Sequence, residues 1–242
     1  MVCGTLKTCC AGVAFFVLTV GASAKTCVWS GDAKDGKWST AENWVDGAVP
    51  ADGDIVSVSG AYGSDMENDI DNLSVSRIWF LGEDAVRLTG KALSIKATVE
   101  KAWTNQCPLE CQVPLKFSPM SNSGVWNIYA TCEKETHFYQ KIESTSGCRL
   151  NLYSTFVSGQ NNRHVYFHAP VVGAQISVLP CGGHFHFYES LTNSNYISSS
   201  SYSDKGSACK ACFYKPLKYG YMNLAFKHHR GILQRKMHRA GG

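Results

Sequence analysis

The chain has 242 residues, a formal net charge of +4, 44% hydrophobic and 17% charged residues, which is globular composition and excludes a disordered or collagen-like polymer. The positive charge is confined to one end: residues 25–203 hold 13 Lys/Arg against 18 Asp/Glu, a net of −5, whereas residues 204–242 hold 9 Lys/Arg against one Asp, a net of +8. A main body with an acidic balance argues against a nucleic-acid-binding surface. Helix formers are scarce while Ser, Thr, Gly, Asn, Val and aromatics are abundant, so the composition favours an all-β fold.

The first element is a leader. Lys7 is followed by an eleven-residue apolar stretch from Cys10 to Val20 and by Ala22-Ser23-Ala24, a small-residue cleavage pattern, so residues 1–24 read as a secretory signal peptide. The apolar stretch is well short of the roughly 20 residues a membrane-spanning helix needs. The expected mature chain is soluble, has no transmembrane segment, begins near Lys25 and passes through a periplasm to become secreted, extracellular or cell-surface. Of eleven cysteines, eight remain after Ala24: Cys27, Cys107, Cys111, Cys132, Cys148, Cys181, Cys209 and Cys212. An even count in an exported chain predicts disulfides, with buried thiols and metal ligation as the alternatives, and leaves the pairing open.

Residues 25–68 form the next segment. Trp29, Trp38 and Trp44 are three large flat side chains separated by turn formers, among them Asp35-Gly36, Asp46-Gly47 and Pro50. They predict an N-terminal cap in which the indole rings lie across the apolar end of a β-stack and their N–H groups reach backbone carbonyls. Across its boundary with the next segment Asp65, Glu67, Asp69 and Asp71 occupy alternate positions. On a strand these four carboxylates share one face, where they are either calcium ligands or a solvated acidic edge that discourages aggregation.

From residue 69 to residue 203 the chain is a succession of short alternating segments. Leu93 to Glu100 is the clearest, and Val113/Leu115/Phe117, Trp126/Ile128/Ala130, Leu150/Leu152, Val165/Phe167, Ile176/Val178 and Phe185/Phe187 follow; with a further aromatic segment near His137 to Ile142 in the longest gap, the spacing from Val113 onward is roughly 9 to 15 residues. Hairpin dipeptides are rare between them, and links such as Leu88-Thr89-Gly90-Lys91-Ala92-Leu93 read as corners turned by a glycine. Corners favour a solenoid in which each coil buries its inward face on its neighbours.

The pattern Trp29/Gly31, Trp38-Ser39/Asn43-Trp44, then Gly47/Pro50/Gly53-Asp54/Val56, followed by Ile78-Trp79-Phe80, Leu88-Thr89-Gly90 and Leu93-Ser94-Ile95, resembles bacterial autotransporter-type passenger proteins with autotransporter-associated β-strand repeats. The resemblance covers roughly residues 27 to 190. It implies a right-handed parallel β-helix, exported, with structural or adhesive roles.

Further along, His184 and His186 flank Phe185, with His164 and His168 earlier. The pair points to one side of a strand, which suits either a transition-metal site or an outward polar face opposite the phenylalanines. The basic tail, residues 204–242, loses the alternation and is expected to be poorly ordered; it contains Cys209-Lys210-Ala211-Cys212 followed by His228 and His229, a spacing better suited to a disulfide than to zinc. No catalytic motif is present, so neither catalytic nor cofactor-binding residues are expected and no cofactor is implied. The leading expectation is a non-enzymatic surface, structural or adhesin-like module contacting host or matrix glycans or proteins and able to join a larger surface assembly. The alternative is a carbohydrate-binding or carbohydrate-cleaving β-helix, a polysaccharide lyase or hydrolase, built on exposed aromatics such as Tyr129, Tyr139, Tyr166 and Tyr188 with carboxylates beside them. A third reading takes the tail as an anchor to acidic polymers or anionic membrane.

Overall fold

A computed structural model describes residues 24–59, 65–97, 102–119, 124–130, 135–145, 148–154, 163–180, 183–200, 210–215, 218–219, 221–228 and 231–238. The leader, apart from Ala24, lies outside the described residues. After β1 (Thr26–Val28), the chain repeats one pattern of three short strands: β2 (Ile55–Val58), β3 (Asp65–Asn68), β4 (Ser74–Val75); β5 (Arg77–Phe80), β6 (Val86–Gly90), β7 (Leu93–Ala97); β8 (Trp103–Asn105), β9 (Leu109–Cys111), β10 (Leu115–Pro119); β11 (Gly124–Ala130), β12 (Glu135–Phe138), β13 (Ile142–Ser144). Then come β14 (Cys148–Ser154), β15 (Arg163–Phe167), β16 (Val171–Pro180), β17 (Gly183–Phe187), β18 (Leu191–Ser200), β19 (Lys210–Phe213), β20 (Lys218–Tyr219), β21 (Tyr221–His228) and β22 (Gly231–His238).

Each strand pairs in parallel with the strand three places earlier in the first four triplets, so the chain coils into a parallel β-solenoid with three faces. The second strands of the triplets make a separate seven-stranded sheet in the order β19-β17-β15-β12-β9-β6-β3, here called face 2. The other two faces merge where β16 and β18, each ten residues long, bend from one face to the next. Among the described strands only β21 and β22, the last pair, run antiparallel. The expected basic tail carries β19 to β22, and β19, β20 and β21 extend the three faces in parallel.

Alternation sets which side chains enter the coil. In face 2, Leu88, Cys111, Phe138, Phe167, Phe187 and Phe213 occupy one register column, and the four phenyl rings stack with centroids 5.3, 4.7 and 5.0 Å apart. The companion column runs Leu109, Thr136, Val165 and Phe185, all buried. On the third face Leu93, Leu115, Ile142, Val171 and Leu191 stack in the same way. Each such side chain contributes about 1.5–3 kcal/mol by leaving water, and stacked aromatic pairs add about 0.5–1.5 kcal/mol beyond area.

The tryptophan segment closes the first coil. Trp29, Trp38 and Trp44 are 2%, 0% and 2% exposed, and Trp44 meets both partners edge to face at 5.0 and 5.8 Å. Trp44 Nε1 donates to the Trp38 carbonyl at 2.7 Å. Trp38 departs from the expectation: its ring is sealed so completely that Nε1 meets no acceptor among the described residues, at a cost of about 1–3 kcal/mol.

The cap also answers the open backbone edge of each face. β1 pairs in parallel with β2; Glu67 N–H donates to Gly36 O and Trp38 N–H to Glu67 O along the edge of β3; and Ser74, in β4, donates to Asp52 and accepts from Gly53 N–H. Two short 3-10 turns, Ala41–Asn43 and Val45–Gly47, hold the loop between them. The fully buried Asn43 is its pin: its amide donates to Asp35 at 2.6 Å and to Lys37 O at 2.9 Å, and its oxygen accepts from Ala33 N–H at 2.9 Å. Asp35 is held below the usual carboxylate range, first by the Thr40 hydroxyl bond and then by Lys37 N–H.

The disulfide expectation is corrected for the cysteines that the structure describes. None of Cys27, Cys107, Cys111 and Cys212 is in a disulfide. Cys111 fills an inward position between Leu88 and Phe138, where burial pushes its thiol up to about 12, and Cys27 is pushed up to about 11 by burial and then by Asp54. Cys27, Cys107 and Cys111, all buried, act as small apolar fillers of the stack. Cys132, Cys181 and Cys209 lie outside the described residues, as does the side chain of Cys148.

The corner at Gly90 shows what the coil demands of the backbone. Gly90 has φ +102°, and a Cβ there would collide with the Asn68 backbone carbonyl of the preceding coil, which accepts from Lys91 N–H at 2.7 Å. Gly90→Ala is expected to lower stability by about 1–3 kcal/mol. Urea unfolding should show a lower midpoint with an unchanged m-value, and an unshifted midpoint would contradict the corner geometry.

Candidate functional site

The outward side of face 2 carries the largest ordered cluster of chemically active side chains among the described residues. Because side chains alternate, β12, β15 and β17 each put valines, threonine or phenylalanines inside and send His or Tyr outside. In-register pairing then aligns these outward residues in columns. Glu135, His164 and His184 share the first; His137, Tyr166, His186 and Cys212 share the second. Just past the strand ends, Tyr139, His168, Tyr188 and Tyr214 make a third, kept in register by backbone bonds of 2.8–2.9 Å to the preceding coil.

The rings of these columns lie face against face. Tyr139 and His168 have centroids 4.5 Å apart, His168 and Tyr188 5.2 Å, and Tyr188 and Tyr214 4.6 Å, all within 11° of parallel. His137 and Tyr166 are 4.5 Å apart, Tyr166 and His186 4.7 Å, and His164 and His184 4.8 Å. These spacings follow the roughly 4.8 Å separation of neighbouring strands. Between neighbouring coils the ring faces are therefore used up within the ladder, and the polar edges are what remain there for hydrogen bonding.

Those edges form two networks. In one, Glu135 accepts from Tyr166 Oη at 3.0 Å and lies 3.3 Å from His137 Nε2, while His137 Nδ1 is 3.0 Å from His168 Nε2. In the other, His164 Nδ1 lies 3.0 Å from His186 Nε2, and His186 Nδ1 lies 3.1 Å from Tyr214 Oη. A nitrogen-to-nitrogen contact this short holds one shared proton, so each histidine pair resists becoming doubly charged. The pKa directions agree. His168 is lowered by burial and then by His137; His186 is lowered by burial and then by His164 and His184. Glu135 is held below the carboxylate range by Tyr166 and then His137, and Tyr166 is pushed up to about 12 by burial and then by its bond to Glu135.

Beside the ladder, toward the N-terminal cap, lies a groove of about 410 Å³ bounded by Asp65, Arg87, Leu109, Glu110, Glu135 and His137. Asp65, Arg87 and Glu110 continue the second column beyond His137, and charges of opposite sign alternate from Asp65 to Glu110. Arg87 Nε pairs with Asp65 Oδ1 at 2.9 Å.

The residues singled out in the sequence are distributed as follows. Asp65 and Glu67 are both exposed on β3, but Asp69 and Asp71 lie past its end. Asp69 accepts from Ser39 N–H and Oγ at 2.8 and 2.5 Å, and Asp71 pairs with Lys91 at 2.8 Å, so with Asp65 on Arg87 three of the four carboxylates have separate partners. His184 and His186 do share the outward face, with ring centroids 6.5 Å apart. No group of three or more His, Cys, Asp or Glu side chains among the described residues has metal-binding geometry. His137, Glu135, Glu110 and Arg87 were not singled out by the sequence. The signal for them was the outward triplet Glu135-x-His137-x-Tyr139, in phase with His164-x-Tyr166-x-His168 and His184-x-His186-x-Tyr188. Tyr129 lies in β11, on another face, and its side chain lies outside the described residues.

In comparisons with known proteins, no family model, no curated protein and no solved structure matches this chain. The parallel β-solenoid is thus established by the geometry itself. Among the described residues no helix is long and apolar enough to cross a membrane.

Acid should loosen the ladder. His168 and His186 bind protons less readily folded than unfolded, so their contribution is intact above the ordinary histidine value near 6.5 and is lost as the pH falls below it. Glu135, whose folded pKa is depressed, adds a second loss below the ordinary glutamate value near 4.3. Circular-dichroism melts are expected to show Tm falling by about 2–4 °C between pH 7.5 and 5.0. In His168→Gln/His186→Gln that fall should be smaller; an equal fall would show that these two imidazoles are not responsible.

Proposed function

We propose that the chain is an exported, non-enzymatic β-solenoid that serves as a surface or structural module, with the His/Tyr ladder of face 2 as its contact surface. The leader at residues 1–24, with its Ala22-Ser23-Ala24 cleavage pattern, supports export. The observation that carries the contact role is the face-to-face stacking of outward rings on a rigid run of coils. Tyr188 and Tyr214 remain 38% and 56% exposed. A flat comb of hydroxyls and imidazole nitrogens repeating at the strand spacing suits an extended partner, a matrix protein or glycan, that offers hydrogen bonds at similar intervals.

The protonation states of Glu135 and Tyr166 suit a binding role. A general acid or base works best with a pKa near the operating pH. Glu135 is held ionised and Tyr166 protonated, so the pair is fixed in the states that accept and donate hydrogen bonds.

The second reading, a carbohydrate-binding or carbohydrate-cleaving β-helix, is favoured by the groove beside the ladder, where Glu110, Glu135, Arg87 and His137 meet. A sugar there would be held through its hydroxyls at the groove, because the ring faces of the ladder are covered by one another.

Purified residues 25–242 applied to immobilised matrix proteins and to a glycan array, with a reducing-sugar assay on any glycan that binds, separates the readings. Binding to a matrix protein or glycan without sugar release is expected, falling at least about tenfold in Tyr188→Ala/His168→Ala, the loss of about 1.4 kcal/mol. Release of reducing sugar would overturn the non-enzymatic reading, and binding unchanged by that variant would remove the ladder as the contact surface.

A further inference from the structure

The first strand begins on a nearly buried carboxylate. Asp54, whose side chain is 8% exposed, accepts through Oδ1 from Lys25 N–H at 3.1 Å and through Oδ2 from Ala51 N–H at 2.9 Å, with the Cys27 thiol donating to Oδ2 at 3.7 Å. The cation facing it is Lys25 Nζ, half exposed, 3.8 Å from Oδ2 and also donating to Val49 O at 3.3 Å. Lys25 is further fixed by its carbonyl, which accepts from Ile55 N–H at 2.8 Å. Ala24, one residue earlier, is exposed. A carboxylate removed from water at this depth favours a close, hydrogen-bonded positive charge.

We propose that Ala24–Lys25 is a processing site and that the α-ammonium released on Lys25 becomes the counter-charge of Asp54, clasping β1 to the turn before β2. The inference rests on the export reading above. In the reaction a signal-removing peptidase hydrolyses the amide: the C–N bond breaks, water supplies the hydroxyl to the Ala24 carbonyl carbon and a proton to the Lys25 nitrogen. The freed amine takes one further proton from solvent at neutral pH to become an ammonium. The nitrogen already lies within hydrogen-bond distance of Asp54 Oδ1, so cleavage converts a neutral donor into a charged one in place. The bond to the Asp54 carboxylate is already charge-assisted through its acceptor, and the ammonium adds a full opposite charge at the same place. The leader's removal thereby completes the cap that covers the apolar end of the solenoid.

The test has two arms. Full-length chain expressed in a bacterial host with an export pathway is recovered outside the cytoplasm, and its N-terminus is read by intact mass and Edman sequencing; Lys25 is expected. In the second arm, independent of export, a fusion tag is cut to leave a chain starting at Lys25 and another retaining Ser23-Ala24. The Lys25 form should melt about 2–4 °C higher at pH 7, the scale set by roughly 1 kcal/mol in a domain of this size. An amine paired with Asp54 titrates above the ordinary value near 8, so its contribution is whole below that pH and fades as the pH rises through the folded value. The difference should therefore shrink at pH 10 and be lost in Asp54→Asn. Equal melting temperatures, or a difference that persists in Asp54→Asn, would overturn the clasp. Cleavage at another bond would remove the site while leaving export standing, whereas a chain that keeps residues 1–24 would sink the export reading and the site with it.

Discussion

The structure depends on register: residues of successive coils lie directly over one another, about one strand spacing apart, so every side chain meets the corresponding side chain of the coil before. Inside face 2 this yields the run Phe138, Phe167, Phe187 and Phe213, with adjacent rings stacked within 12° of parallel. Outside, the same register yields the His/Tyr ladder. A single geometric constraint thus builds both the core and the surface. A slip of one residue would exchange the two sets, placing imidazoles in the interior and phenyl rings in water, which is why the alternation in β12, β15 and β17 fixes the pairing so firmly.

A stack of this kind has ends, and the N-terminal end is treated separately on each face. β1 covers the first, the Gly36–Trp38 backbone the second, and Asp52 with Gly53 the third. The three indoles then close the apolar cross-section. Polar residues of the cap are committed to holding this arrangement: Asn43 binds three backbone or side-chain partners of its own loop, and Asp54 binds both the first strand and the turn that precedes β2. Backbone edges that would otherwise recruit other strands are satisfied within the chain.

The ladder differs from an ordinary polar surface because its members are coupled. Two imidazole pairs each share a proton, and Glu135 joins Tyr166 and His137. Stacking holds the rings parallel, which aims their nitrogens and hydroxyls along the sheet surface, and the groove bounded by Arg87, Glu110 and His137 extends the same columns toward the cap. Recognition through such a face rests on spacing and hydrogen-bond direction more than on apolar area.

Much of the architecture was legible in the sequence. Alternation at Leu93/Ile95, Leu115/Phe117, Val165/Phe167 and Phe185/Phe187 identified inward residues correctly, the glycine corner at Gly90 separated a coil from a sandwich, and the spaced tryptophans marked the cap. These are local properties of a strand or a turn, and local sequence is enough to specify them. The ladder was half legible: His184 and His186 were seen to share a side, but His137, Tyr166 and His186 are separated by 29 and then 20 residues, so no fixed period aligns them. Loop length between strands decides that spacing, and only the folded coil absorbs the difference and brings them into one column. The cysteines make the same point. Their even number suggested bridges, yet whether two thiols meet depends on which columns they enter, and Cys111 enters one whose neighbours are Leu88 and Phe138. The sequence by itself determined which residues face inward and where the chain turns; the tertiary structure alone decided which of them become neighbours, because contact across coils depends on register over distances that no local pattern records.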